Sequence, residues 1–136
     1  MKWICQWMCN TFVTGSTLLT VKELIEGYMK NHVKEISPAE LKNKLENNAV
    51  RLIDVREWNE YIYCKIEGAE IIPLRKIYDA NLSADKEDEI VLYCHIGSRS
   101  YHAAQVLKEK GFKNVYNLRG GIDAYSVEVD PDIPRY

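Results

Sequence analysis

The chain has 136 residues, of which 46% are hydrophobic and 28% charged, and its net charge is −2. That length suits one domain whose core needs neither a metal nor a disulfide for stability. The charge excludes a basic field for a nucleic-acid backbone, and no run reaches the ~18 apolar residues of a membrane span.

Residues 1–33 read as an N-terminal extension and residues 34–136 as the main domain. The opening MKWICQWMCNTFVTGSTLLT lacks a continuous apolar run, because Gln6, Asn10 and Thr11 interrupt it, so it does not read as a signal peptide. Cys5, Cys9, Cys64 and Cys94 are irregularly spaced. The expectation is a cytoplasmic protein with reduced thiols. Cys5, Cys9 and His32 are too few ligands for a zinc site, and no metal or cofactor is expected. In TVKELIEGYMKNHV, residues Val21, Leu24, Ile25, Tyr28 and Met29 share one helical face, so the extension is expected to be helical.

From residue 34 the pattern becomes regular. VKEIS predicts a short strand. Ser37, Pro38 and Glu40 then form a helix start, with Ser37 as cap, Pro38 at the first helical position and Glu40 at the capping-box position. The helix PAELKNKLEN would bury Leu41 and Leu45. VRLIDV predicts a strand, REWNEYIYCK a short helix, and AEIIPL a strand stopped by Pro73. DEIVLYC holds four adjacent apolar residues, Ile90 to Tyr93, as a strand buried on both faces requires. SRSYHAAQVLKEK predicts a helix stopped by Gly111. KNVYNL predicts a strand, and Gly120-Gly121 turns into a short helix, IDAYSVEV. Strands alternating with helices argue an α/β fold: one central, mostly parallel sheet of about five strands, with helices on both faces.

In such sheets the site forms at the carboxyl ends of the strands. Cys94 stands at the end of the strand expected to be most buried, and the next helix starts within a few residues. The unpaired N–H groups and positive dipole end of that helix favour an anion. Gly97 permits a tight curve, Ser98 and Ser100 are candidate caps, and Arg99 adds a positive charge. Together these favour a thiolate nucleophile over a buried structural thiol.

The segment YCHIGSRS resembles the active-site loop of rhodanese-type sulfurtransferases, Cys-x-x-Gly-x-Arg-Ser. LIDVREWNEY resembles that family's Asp-Val-Arg-Glu segment. CKIEGAEIIPL resembles its His-Ile-x-Gly-Ala segment, with Lys65 where His is usual. GFKNVYNLRGGIDAY resembles its last strand and Gly-Gly turn, with Tyr125 where Trp is usual. The likeness covers residues 34–136 in order. It implies that Cys94 carries sulfane sulfur as a persulfide, taken from a donor such as thiosulfate and passed to a thiol, cyanide or protein acceptor. The backbone of His95, Ile96, Gly97, Ser98, Arg99 and Ser100 would cradle the terminal sulfur. The tail GGIDAYSVEVDPDIPRY resembles the end of adenylyltransferases fused to such a domain, which implies a ubiquitin-like sulfur carrier and a separate adenylyltransferase as partners.

Two alternatives share the fold. Phosphatases and arsenate reductases use a loop of the type Cys-x5-Arg, whereas Cys94 and Arg99 give Cys-x4-Arg, a smaller ring suited to one sulfur atom. Non-catalytic modules of the family usually lose the cysteine, and this chain keeps it. Asp54 and Arg56 are expected to pair and brace the loop. His95 is expected to act through its backbone with an exposed imidazole, His102 to be a surface or packing residue, Arg75 to be solvated, and Cys64 to be a packed thiol.

Overall fold

The structure is a computed structural model. It describes residues 11–14, 17–79 and 81–136, and the side chains of that set from residue 19 onward. Cys5 and Cys9 lie outside the described residues. Two compact units make up the chain, residues 1–32 and 33–136. In the first, β1 (Thr11–Thr14) pairs antiparallel with β2 (Thr17–Thr20), and α1 (Val21–Asn31) follows. Thr20 caps α1, and Glu23 returns the bond to the Thr20 backbone. The hairpin precedes the helix that the sequence pattern anticipates.

The second unit is a five-stranded sheet in the order β3-β7-β6-β4-β5, every neighbouring pair parallel. Its strands are β3 (Lys34–Ile36), β4 (Arg51–Asp54), β5 (Glu70–Ile71), β6 (Glu89–Tyr93) and β7 (Asn114–Leu118). Its helices are α2 (Pro38–Glu46), α3 (Trp58–Tyr63), α4 (Leu74–Asp79), α5 (Ser98–Glu109) and α6 (Gly121–Glu128). The α/β class, the parallel sheet and the strand count agree with the sequence. The Ser37 box is in place: Ser37 Oγ accepts from Glu40 N–H at 3.2 Å, and Glu40 Oε2 accepts from Ser37 N–H at 2.6 Å.

One helix goes unanticipated. Pro73 reads as the end of a strand, and it also opens α4, whose first backbone bond runs from Lys76 N–H to the Pro73 carbonyl at 2.8 Å. Proline supplies no N–H, so it ends a ladder and starts a helix equally well.

The sheet has a core on each face. Ile90, Leu92 and Cys94 alternate onto one face with Ile53, Val55, Ala103, Ala104 and Leu107, under α4 and α5. Val91 and Tyr93 point the other way, packing with Leu41, Leu52, Cys64, Leu118, Ile122 and Tyr125. Both faces of β6 are therefore dry, as its unbroken apolar run requires. Each of the Ile, Leu and Val side chains among them contributes roughly 1.5–3 kcal/mol by burial. Among the described residues no helix is long and apolar enough to cross a membrane.

Candidate active site

The central strand β6 delivers Cys94 to the carboxyl edge of the sheet, fully buried. The chain then turns sharply. Gly97 takes a φ of 107°, a left-handed value that a side chain would oppose, and becomes the residue from which α5 starts. Gly97 N–H reaches back to Cys94 Sγ at 3.1 Å, and Ser100 Oγ lies 3.3 Å from the same sulfur. The first helical bond of α5 runs from Tyr101 N–H to the Gly97 carbonyl at 3.2 Å. The N–H groups of Ser98, Arg99 and Ser100 precede that ladder, at the positive end of the helix.

The amino end of α6 orients the loop from behind. Ile122 N–H donates to the Cys94 carbonyl at 2.9 Å, and Asp123 N–H to the His95 carbonyl at 3.1 Å. Gly121 makes this approach possible. A Cβ there would lie 2.3 Å from the His95 carbonyl oxygen and 2.5 Å from that of Cys94.

Three charged pairs surround the loop. Asp54 and Arg56 are wholly buried and joined by several bonds, among them Arg56 Nε to Asp54 Oδ1 at 3.0 Å and Nη2 to Oδ2 at 2.6 Å. Arg56 also donates to the Cys64 carbonyl at 2.6 Å and to Tyr136 Oη at 2.9 Å, and it lies over the Tyr93 ring. These bonds brace the end of α3 and Tyr136 rather than the backbone of residues 94–100. Arg99 makes a two-pronged pair with Glu60 of α3, at 2.8 and 2.9 Å. Asp123 holds Arg135 at 2.8 Å. The Arg99 bonds come first among the causes that hold the Glu60 carboxyl down to about 2, well below the usual carboxylate range. Tyr136 Oη donates to Glu60 at 2.9 Å, and the Tyr136 ring stacks on His95 with centroids 4.1 Å apart. An open pocket of about 250 Å³ lies alongside, lined by Asn59, Glu60, Tyr63 and Tyr136.

Several expectations change. Neither Ser98 nor Ser100 caps α5, because Gly97 holds the cap position without a side-chain bond. Ser98 is exposed, and the Ser100 hydroxyl turns inward toward Cys94 and Asn117. The His95 imidazole is half-buried against Tyr136, not exposed, and among the described residues its Nε2 is buried without a partner. Ile96 is exposed beside it. His102 and Arg75 are exposed, and Cys64 is a packed thiol. Glu60, Asn117 and Tyr136 escaped the sequence reading. Asn117 alone carried a signal, as a polar residue in a strand otherwise marked for burial.

The chain belongs to the rhodanese-like domain family, whose sequence profile matches residues 37–128. It is 40% identical over 100 residues to the putative sulfurtransferase YtwF of Bacillus subtilis, covering 73% of this chain and 96% of YtwF. It is 37% identical over 106 residues to the probable adenylyltransferase/sulfurtransferase MoeZ of Mycobacterium tuberculosis, 74% of this chain but 26% of MoeZ. The chain spans 38% of a further curated relative and 49% of another. Human single-domain sulfurtransferase TSTD1 superposes with a TM-score of 0.65 at 26% identity, covering 71% of this chain and 98% of that one. These likenesses support sulfurtransferase activity in general.

The Glu60 arrangement has a pH signature. A carboxylate depressed on folding adds stability above its unfolded value of ~4.3, and that stability is lost as pH falls toward the folded value. The wild type should unfold at progressively lower urea as pH falls from roughly 4.3 toward the folded Glu60 value of about 2. In Glu60→Gln the decline across that window should be shallower; an identical decline would show that the Arg99 pair adds nothing.

Proposed function

We propose that this chain is a sulfurtransferase that carries sulfane sulfur as a persulfide on Cys94. The observation behind this reading is the buried Sγ at the end of β6, accepting from Gly97 N–H at 3.1 Å beside the open first turn of α5. With thiosulfate as donor, the Cys94 thiolate attacks the outer sulfur. The S–S bond of thiosulfate breaks, and sulfite leaves with the electron pair. The persulfide Cys–S–S⁻ then carries its charge on the terminal atom, where backbone N–H groups from His95 to Ser100 stabilise it. A thiolate or cyanide attacks that terminal sulfur, and Cys94 leaves as the thiolate. Two displacements complete the cycle, so it calls for no metal, redox cofactor or general base.

Incubation with thiosulfate should add the mass of one sulfur atom to the peptide holding Cys94, and cyanide should remove it. Cys94→Ala should abolish both steps. Arg99→Ala should slow turnover about tenfold without ending it, because the backbone donors remain. A sulfur adduct on Cys64, or hydrolysis of an aryl phosphate in place of sulfur transfer, would defeat the assignment.

The physiological acceptor in this reading is a ubiquitin-like sulfur carrier, adenylated by a separate enzyme in the cytoplasm. Support comes from the tail pattern and from two relatives, MoeZ and the putative sulfur carrier protein YrkF of Bacillus subtilis. Reconstitution with a carrier and its adenylating enzyme should yield a carrier thiocarboxylate. Normal thiosulfate:cyanide turnover without that product would leave only small-molecule acceptors.

In the same reading, residues 1–33 are an extension and residues 34–136 hold the activity. A chain beginning at Val33 should keep thiosulfate:cyanide turnover. Loss of turnover in a still-folded truncation would place part of the site in the extension.

A further inference from the structure

Behind Cys94 runs a chain of two buried polar side chains, Ser100 and Asn117, that ends at the exposed Glu35. Asn117 Nδ2 donates to the Gly97 carbonyl at 3.1 Å and to Glu35 Oε1 at 3.1 Å. Both partners only accept, so they account for both amide protons and fix which end of the amide is which. Asn117 Oδ1 must then face Ser100, whose Oγ lies 2.6 Å away. Ser100 has one hydroxyl proton. It cannot serve Asn117 at 2.6 Å and Cys94 at 3.3 Å at once. Cys94, Ser100 and Asn117 are all essentially inaccessible to bulk solvent, so water does not relieve the competition.

We propose that Asn117 is a positioning residue that holds the Ser100 proton away from Cys94. While Cys94 is a thiol, Ser100 Oγ turns a lone pair to the sulfur and accepts S–H. When Cys94 ionises, the hydroxyl turns to the negative sulfur, because a charged acceptor outbids a neutral one, and Asn117 Oδ1 loses its donor. Asn117 therefore opposes the bare thiolate. It opposes the persulfide less, because there the charge sits one atom further out and Ser100 can keep its bond to Asn117. Asn117 thus biases the site toward its loaded state.

The charged and titratable groups around the sulfur are Arg99 with Glu60, His95 with Asp123 and Tyr136, Tyr93, the Asp54–Arg56 pair, and Glu35 behind Asn117. Replacing Asn117 or Ser100 by an apolar residue alters none of their charges directly. The test is iodoacetamide alkylation against pH, read at the Cys94 peptide by mass. Asn117→Leu should lower the midpoint by about half to one pH unit, the equivalent of one neutral hydrogen bond. In a Ser100→Ala background, Asn117→Leu should leave the midpoint where Ser100→Ala alone puts it. An unchanged or raised midpoint in Asn117→Leu, or equal shifts in both backgrounds, would overturn the proposal.

A measurement on the unaltered chain does not depend on how the variants fold. By proton NMR the Ser100 hydroxyl should contact the Asn117 side chain below the midpoint and the Cys94 β-protons above it. Contact with Cys94 at both pH values would overturn the proposal equally. The inference rests on Cys94 being the reactive thiol. Cys94→Ala with normal turnover would end that reading and leave the alkylation result standing, while a failed alkylation cycle would leave the sulfur-transfer result standing.

Discussion

Two backbone hydrogen bonds decide what the loop can do: Ile122 N–H to the Cys94 carbonyl and Asp123 N–H to the His95 carbonyl. A peptide has one polar edge of each kind. Once the carbonyl edges are drawn toward α6, the N–H edges further along the loop are free to face the sulfur. The bonds exist only because β7 lies beside β6 and α6 follows β7 after a turn, which brings the start of α6 behind Cys94. Gly121 is the point of closest approach, and any larger residue would push α6 off the loop.

The side-chain charges near the sulfur are matched in pairs. Arg56 answers Asp54, Arg99 answers Glu60, and Arg135 answers Asp123. Each guanidinium is already bonded to a carboxylate, so the backbone dipoles share with Arg99 the pull on an anion. Those dipoles are fixed by the fold and need no reorganisation when charge develops. The buried Asp54–Arg56 pair costs desolvation and repays it through several bonds at once. Arg56 of that pair bonds the α3 end at Cys64 and Tyr136, the residue stacked on His95.

Much of the fold was legible because its signals are local. The Ser37 box, the apolar run of β6 and the stop at Gly111 each lie within a few residues of the feature they specify. The Cys94 loop was legible for the same reason. Arg99 illustrates the limit: the sequence displays its charge, but not that Glu60, 39 positions earlier, takes up its hydrogen bonds. Tyr136 meets Arg56 across 80 positions, and no periodicity encodes that contact. Ser100 misled the capping reading because its hydroxyl had a better partner in Asn117, 17 positions later on a neighbouring strand.

The chain order of these parts bears on how the thiol is handled during synthesis. Cys94 is made before Asn117, Gly121, Ile122 and Asp123, and well before Tyr136. Parallel strands pair only after intervening segments have formed, so such sheets assemble late. Until β7 and α6 dock, the loop after Cys94 lacks the bonds from Ile122 and Asp123 that orient its carbonyls. In the sulfurtransferase reading proposed above, the site is complete only when β7 and α6 are in place.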